Sequence, residues 1–135
     1  MNENIFKHTD ITSSILRGYY EVYNELGHGF LESVYENALC VVLTEYGLSI
    51  ERQKEISVYF RGSLVGSFTP DMIVDEKVIV EIKAAENLVP AHESLVINYL
   101  RATEIEVGLL LNFGKKPEIK RCAYDNQRKQ IREIL

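Results

Sequence analysis

The residues of this chain best suited to chemistry are two carboxylates and an amine in the stretch TPDMIVDEKVIVEIKA, residues 69–84. Two β-branched runs flank a polar turn there, which predicts a β-hairpin. If the turn is centred on Glu76, Asp71 lies directly opposite Glu81, and Lys83 follows on the same face. Facing carboxylates repel each other, so they need a cation, either Lys83 or a bound divalent metal. The alternative is an ordinary half-exposed hairpin with alternating charge, and a shifted turn would make the pair diagonal.

The two faces of this predicted hairpin differ in composition. One face is entirely apolar, and we expect it to be buried; it carries Met72, Val74, Val78, Val80 and Ile82. The other face carries the charged residues near the strand ends, beside Ile73 and Ile79 in the middle. Charged strand ends next to a buried apolar centre are typical of a site in a cleft.

The elements that must position this hairpin are predicted from hydrophobic periodicity. Apolar residues at helical spacing indicate helices from Asp10 to Leu26, from Leu31 to Tyr46 and from Pro90 to about Thr103. Alternating or continuous apolar runs indicate one or two strands in 50–60, and further strands at 64–68, 107–113 and 119–124. The predicted order is α-α-β-β-β-β-α-β-β. We therefore expect one α/β (α+β) domain over 1–135, with a core of about 10–124 and a C-terminal tail, 125–135, that can form a short docking helix.

Length and composition limit the class of protein. A chain of 135 residues can bury a core of its own, and 46% hydrophobic with 26% charged residues is usual for a globular protein. No apolar run is long enough to span a bilayer and the N-terminus lacks signal-peptide features, so we expect a cytoplasmic protein without a membrane partner. The two cysteines, Cys40 and Cys122, lack metal-ligand spacing, which argues against a zinc site or a disulfide framework.

The charge distribution is uneven along the chain. A net charge of −5 argues against a protein that coats nucleic acid without sequence preference. The C-terminal third is nevertheless net positive, and it contains Lys115, Lys116, Lys120, Arg121, Arg128, Lys129 and Arg132. This basic run can meet a polyanion, or it can be no more than a solvated face.

Four segments together carry a family resemblance: GHGFLESVYENAL, TPDMIVDEKVIVEIKA, PAHESLVINYLRAT and VGLLLNFG. They resemble the GxxExxY group of the PD-(D/E)XK nuclease superfamily. The GxxExxYxxAL signature is matched by Gly29, Glu32, Tyr35, Ala38 and Leu39, the PD part by Pro70-Asp71, and the ExK part by Glu81-Ile82-Lys83. The resemblance implies a restriction-endonuclease-like core, in which a mixed central sheet is flanked by helices.

The resemblance also implies site residues and a reaction. The metal, Mg²⁺ or Mn²⁺, would be held by Asp71, Glu81, the Ile82 carbonyl oxygen and Glu32, all of them hard oxygen ligands. Lys83 would orient the attacking water and stabilise negative charge during hydrolysis of a phosphodiester in DNA or, as the second choice, RNA. Possible substrate contacts are His92, Tyr99 and Tyr35. Glu32 can instead be a favourable charge at a helix N-terminus, and His92 a plain surface residue.

One departure from the group keeps other functions open. Members usually carry Gln on the third helix, four residues before the Tyr of the YL pair, and this chain has Leu95 there. The second hypothesis is therefore a catalytically weakened module that binds protein or nucleic acid, or that dimerises. Hydrolysis of a small phosphoester is a third possibility, and a homodimer is expected only by analogy with other small nucleases.

Overall fold

A computed structural model describes residues 7–129 of the protein. In chain order the described elements are α1 (Thr9–Leu26), α2 (Glu32–Glu45), β1 (Ile50–Arg52), β2 (Ile56–Phe60), β3 (Ser63–Phe68), β4 (Met72–Val74), β5 (Val78–Lys83), α3 (Pro90–Ala102), β6 (Val107–Phe113) and β7 (Pro117–Ala123). Five strands precede α3 where the predicted order has four. The region 50–60 forms two strands because the chain turns at Gln53, whose φ of 54° is left-handed.

The strands form two separate sheets. The central sheet has the order β1-β4-β5-β6-β7, in which β5 and β6 run parallel and all other neighbours are antiparallel. The strands β2 and β3 form a two-stranded ribbon of their own. Helices α1 and α2 pack on one face of the central sheet and α3 packs on the other. The expected mixed central sheet flanked by helices is therefore confirmed.

The β4–β5 hairpin has the predicted register. Its Cα partners are Met72 with Val80, Ile73 with Ile79 and Val74 with Val78, which centres the turn on Glu76. Asp75 and Glu76 have φ values of 50° and 57°, and the Lys77 amide donates to the Val74 carbonyl at 3.0 Å. The turn is held in place by Ser49, whose amide donates to Asp75 Oδ1 at 2.8 Å.

The two faces of this hairpin serve different cores. All five apolar residues of the first face are buried in the main core, together with residues of α1 and α2. Ile73 and Ile79 on the second face pack with Val96 and Leu100 of α3. A Cβ on Gly108 would lie 2.6 Å from Val96 Cγ1, so this glycine lets α3 approach β6 closely. Each fully buried aliphatic side chain contributes roughly 1.5–3 kcal/mol.

The two ends of α1 are formed differently. The helix ends at Leu26, as predicted, and Gly27 follows it with a left-handed φ of 67° and an amide that donates to the Tyr23 carbonyl at 2.8 Å. The helix begins at Thr9, and the residue before it is His8, which provides no side-chain cap.

Within residues 7–129, no helix has the length and hydropathy to cross a bilayer. Cys40 and Cys122 are both free thiols.

The predicted basic run is divided between different environments. Lys129 is buried, and its Nζ donates to the carbonyls of Thr103 and Ile105 at 2.8 and 2.7 Å. Arg121 donates to the Lys7 carbonyl at 2.8 Å. Residues 126–129 of the predicted tail helix are helical. The rest of the tail, with Arg132, lies outside the described residues. The exposed part of the run includes Lys115, Lys116 and Lys120, together with Arg128.

Candidate metal centre

The site is built on a direct contact between Asp71 and Glu81. Asp71 immediately precedes β4, and the hairpin register places it opposite Glu81 of β5, as predicted. The Asp71 amide donates to Glu81 Oε1 at 2.8 Å, and the Ile82 amide donates to Asp71 Oδ2 at 2.8 Å. Each carboxylate is thus held by a backbone amide of the opposite strand. The two acids, called the Asp71–Glu81 pair below, are positioned by the backbone itself.

The electrostatics of the pair favour a cation. Glu81 is only 6% exposed, and burial raises its pKa from 4.5 to about 8, with a further contribution from the negative charge of Asp71. Burial also raises the pKa of Asp71, as do Glu36 and Glu32, whereas the Ile82 amide lowers it. Lys83 lowers both pKa values from a distance, since among the described residues it forms no salt bridge.

The carboxyl end of β5 is tied to β6 by Asn112. Lys83 lies beside Asn112 in the parallel register, and Asn112 is completely buried. Its side chain exchanges two hydrogen bonds with the backbone of Ala85, at 2.9 and 3.0 Å. The turn that follows β6 carries Lys115 and Lys116, which are exposed at this same end of the sheet. Two cations therefore border the end of the sheet where the acids lie.

Glu32 approaches the site without joining the pair. It is the exposed first residue of α2, and its Oε2 accepts a long hydrogen bond of 3.4 Å from the Ala84 amide. Within residues 7–129, no three His, Cys, Asp or Glu side chains are grouped closely enough to hold a metal ion together. The exposed side chain of Glu32 reaches the end of β5 and makes no direct contact with the pair, and its role as a metal ligand stays a prediction.

Glu36, one helical turn after Glu32, is a site carboxylate that our sequence analysis missed. It is 9% exposed, and its charge raises the pKa of both Asp71 and Glu81. Its Oε2 accepts hydrogen bonds from Arg52 Nη2 at 2.6 Å and Nε at 3.0 Å, and Gln53 donates to its Oε1 at 3.2 Å. The spacing of four from Glu32 was the available signal, because residues four apart share a helix face.

Tyr35, a predicted substrate contact, has a structural position instead. Its side chain is completely buried and stacks on Phe113, with ring centroids 4.2 Å apart. Its hydroxyl donates to the Gly27 carbonyl at 2.6 Å and accepts from the Phe30 amide at 3.2 Å. The predicted contact is corrected because this side chain has no exposed surface. Tyr35 fixes the loop that leads into α2 and so positions Glu32.

The other predicted contacts lie on α3. The ring of Tyr99 stacks on Phe68 at 4.1 Å, and its pKa is raised by burial and by the charges of Glu81 and Asp71. Tyr99 therefore lies in the field of the pair. His92 Nδ1 accepts from the Val89 amide at 3.2 Å, which makes His92 part of the helix cap, and its contact with substrate stays a prediction. Leu95 is 38% exposed.

The residues of the site fit a hard divalent cation by their chemistry. The donors at the Asp71–Glu81 pair are carboxylate oxygens, which Mg²⁺ and Mn²⁺ prefer over nitrogen or sulfur. Ile82 turns its amide toward Asp71, and since the N–H and C=O of a strand residue point to the same side, its carbonyl oxygen is directed there as well. The buried Glu81 and the partly buried Asp71 both have raised pKa values, and a nearby positive charge would stabilise their ionised forms.

Comparison with known proteins agrees with this architecture. The crystal structure of SSO0001 superposes with a TM-score of 0.55 at 16% sequence identity, covering 75% of this chain and 55% of the other. At that identity the likeness concerns the fold alone, and this chain spans about half of that protein. The comparison with curated proteins gave no match. Residues 9–122 match the PD-(D/E)XK nuclease superfamily, so nearly the whole described chain is covered. This protein belongs to the PD-(D/E)XK nuclease superfamily.

Proposed function

We propose that this protein is a nuclease of the GxxExxY group that depends on Mg²⁺ or Mn²⁺ and hydrolyses phosphodiester bonds in DNA. The observation that carries the proposal is the Asp71–Glu81 pair: two carboxylates are fixed by each other's strands, with Lys83 two residues further along the same face. Superfamily membership supports a nucleic-acid substrate. Lys115 and Lys116 at the same end of the sheet suit a phosphate backbone.

In this proposal the metal ligands come from the two paired strands. Asp71, Glu81 and the Ile82 carbonyl hold the ion, and Glu32 contributes through water from the start of α2. The bound ion would lower the pKa of an attacking water and neutralise charge on the phosphate. Burial of Glu81 lowers the local dielectric and would strengthen its electrostatic contact with the ion.

The remaining residues act on the water and the substrate. Lys83 orients the attacking water and stabilises negative charge on the phosphate oxygens as it develops. Tyr99 offers a hydroxyl to the substrate from the α3 side. Tyr35 and Glu36 act indirectly, because Tyr35 fixes the loop before Glu32 and Glu36 adds negative potential near the pair.

The proposal is tested by metal-dependent stability together with hydrolysis. Millimolar Mn²⁺ or Mg²⁺ should raise the Tm of the wild-type protein, since a ligand at about 100 times its Kd stabilises the folded state by about 2.7 kcal/mol. Glu81→Gln should abolish the shift and lower cleavage of linear, circular or single-stranded DNA by about a hundredfold or more. The matched control is Glu51→Gln on edge strand β1, whose carboxylate is paired with Lys54 at 3.4 Å.

The second candidate function is a catalytically weakened module that retains the fold for binding or dimerisation. It is favoured by Leu95, an exposed apolar residue where the group usually has Gln. No Tm response to millimolar metal in the wild-type protein would support it against the nuclease. A metal response without hydrolysis of DNA, RNA or a mononucleotide diester would place the weakness in catalysis alone. A cytoplasmic location and a homodimer stay predictions.

A further inference from the structure

The β2–β3 ribbon is the most exposed regular element of the described chain. Every residue from Tyr59 to Ser67 is exposed, although the ribbon contains several large apolar side chains. Those most exposed are Tyr59 at 65%, Phe60 at 58%, Leu64 at 63% and Val65 at 61%. Isolated two-stranded hairpins are marginally stable in water, and exposed apolar patches usually mark binding surfaces. The exposed apolar surface of the ribbon is therefore a candidate binding surface.

The ribbon is anchored at its base and not at its tip. Phe68 stacks on Tyr99, with ring planes only 4° apart, and Ile56 packs against the core beneath α3. The chain then runs from Phe68 through Pro70 directly into Asp71. The base of the ribbon thus adjoins the Asp71–Glu81 pair. Its strands extend away from the base by five or six residues, or about 17–20 Å at a rise of about 3.3 Å per residue.

The chemistry of the tip is aromatic and cationic. Residues 56–68 include no Asp or Glu, and Arg61 is their single charged residue, in a chain of net charge −5. The Arg61 guanidinium lies over the Phe60 ring, 5.0 Å from its centroid. Tyr59 pairs with Leu64 and Phe60 with Ser63, so consecutive residues place one aromatic ring on each face of the ribbon. Exposed rings with an adjacent arginine suit unpaired bases and their phosphates.

A second copy of this chain fits the tip less well. Stable protein interfaces bury about 800 Å² on each partner and use roughly 20–30 residues a side. The exposed part of the ribbon is only nine residues long, from Tyr59 to Ser67. A strand of nucleic acid needs no such area, because each base that stacks on a ring contributes separately.

We propose that the aromatic tip of the β2–β3 ribbon, formed by Tyr59, Phe60 and Arg61, binds an unpaired strand of nucleic acid by base stacking. The proposal rests on the proposed nuclease function, since the base of the ribbon adjoins the carboxylate pair. One base stacks on the Tyr59 ring, and a strand that continues around the tip places a further base against Phe60 and Arg61 on the other face, where the guanidinium contacts a phosphate. The metal site then cleaves a strand whose neighbouring nucleotides are held open by the ribbon.

The test compares matched double variants in binding to a fluorescein-labelled single-stranded oligonucleotide in EDTA, measured by fluorescence anisotropy. Tyr59→Leu/Phe60→Leu keeps apolar area but removes the rings, and we expect about a tenfold or greater loss of affinity. Leu64→Ser/Val65→Ser removes aliphatic area from the same ribbon and should change affinity less than about twofold. Arg61→Gln, at the exposed turn, should weaken binding about threefold or more, and it serves as the variant least able to disturb folding.

Several results would overturn the ribbon proposal. They are failure of the wild-type protein to bind the single strand, tighter binding of the duplex form, and equal losses in the aromatic and aliphatic variants. A second copy on the ribbon would appear as an oligomer in sedimentation velocity that both double variants dissociate, which also overturns it. Hydrolysis of bis(p-nitrophenyl) phosphate by the wild-type protein with Mn²⁺ tests the metal centre separately. A diester of this size is too small to contact the metal centre and the tip of the ribbon at the same time.

Discussion

Two buried carboxylate centres lie close together in this protein, and they are neutralised differently. Glu36 accepts two hydrogen bonds from the Arg52 guanidinium and a third from Gln53. Glu81 accepts from the Asp71 amide and faces a second carboxylate. The chain thus supplies a cation to Glu36, whereas among the described residues no salt bridge reaches the Asp71–Glu81 pair. The absence of such a salt bridge leaves the pair in the state that the proposed metal centre requires.

The largest expected effect concerns Glu81 in metal-free protein. The pKa of Glu81 is about 8 in the folded state, compared with 4.5 for an unperturbed glutamate, which represents the unfolded state. Between pH 4.5 and pH 8 the folded state therefore holds a proton that the unfolded state has lost. The free energy of unfolding should therefore fall as pH rises from about 4.5 to about 8. Glu81→Gln cannot ionise, and at pH 8 it should be more stable than wild type by an amount on the order of a few kcal/mol.

The measurement is urea denaturation in EDTA at pH 5, 6, 7 and 8. Wild type and Glu81→Gln should differ least at the lowest pH and most at the highest. Identical pH profiles for the two proteins would show that Glu81 is not the group responsible and would remove the contrast between the two centres. Added Mn²⁺ should restore the stability of wild type at pH 8 and leave the variant unchanged.

A smaller effect is expected at the centre that has its own cation. Arg52→Met leaves Glu36 buried without its partner and should lower the free energy of unfolding by about 1–3 kcal/mol. Adding Glu36→Met to the same protein should recover most of the loss, since both charges are then gone. The control is Lys54→Met, which breaks an exposed pair with Glu51 and should cost less than about 0.5 kcal/mol. A double variant no more stable than Arg52→Met would contradict a buried ion pair.

The smallest expected effect is a change in Mn²⁺ affinity, and it concerns Lys83, which acts on the pair without a salt bridge to it. Its charge lowers the pKa of both Asp71 and Glu81 and repels a bound cation as well. Lys83→Met should therefore tighten Mn²⁺ binding a few fold, measured by isothermal titration calorimetry, while DNA hydrolysis falls. Weaker Mn²⁺ binding in this variant would mean that Lys83 positions the ligands.

The β4–β5 hairpin was predictable because its information is local. Two apolar runs and a turn centred on Glu76 define the register, and the register places Asp71 opposite Glu81. The separation of β1 from β2 was not predictable, because it depends on a left-handed residue at Gln53 within one continuous alternating pattern. Tertiary position decides that β1 joins the central sheet while β2 joins the ribbon.

The burial and the interaction partners of charged residues were the hardest features to predict from the sequence. Lys129 belongs to a basic run, yet it is buried and donates to two carbonyls beyond α3. Glu36 belongs to the same helix face as Glu32, but its pairing with Arg52 joins residues from different elements. The sequence shows the type and spacing of such groups, whereas their partners follow only from the packing of α2 against the edge of the sheet.

The three-residue turn at Asp75–Lys77 has a consequence far from its own position. Because it fixes which residues of β4 and β5 face each other, turn length alone sets the separation of the two acids. One inserted residue would move the centre of the turn by half a residue, so that Asp71 and Glu81 would lie diagonally and not directly opposite each other. The length of a loop remote from both acids is therefore part of the geometry of the candidate site, while its sequence is restricted by two left-handed residues and by the contact of Asp75 with Ser49.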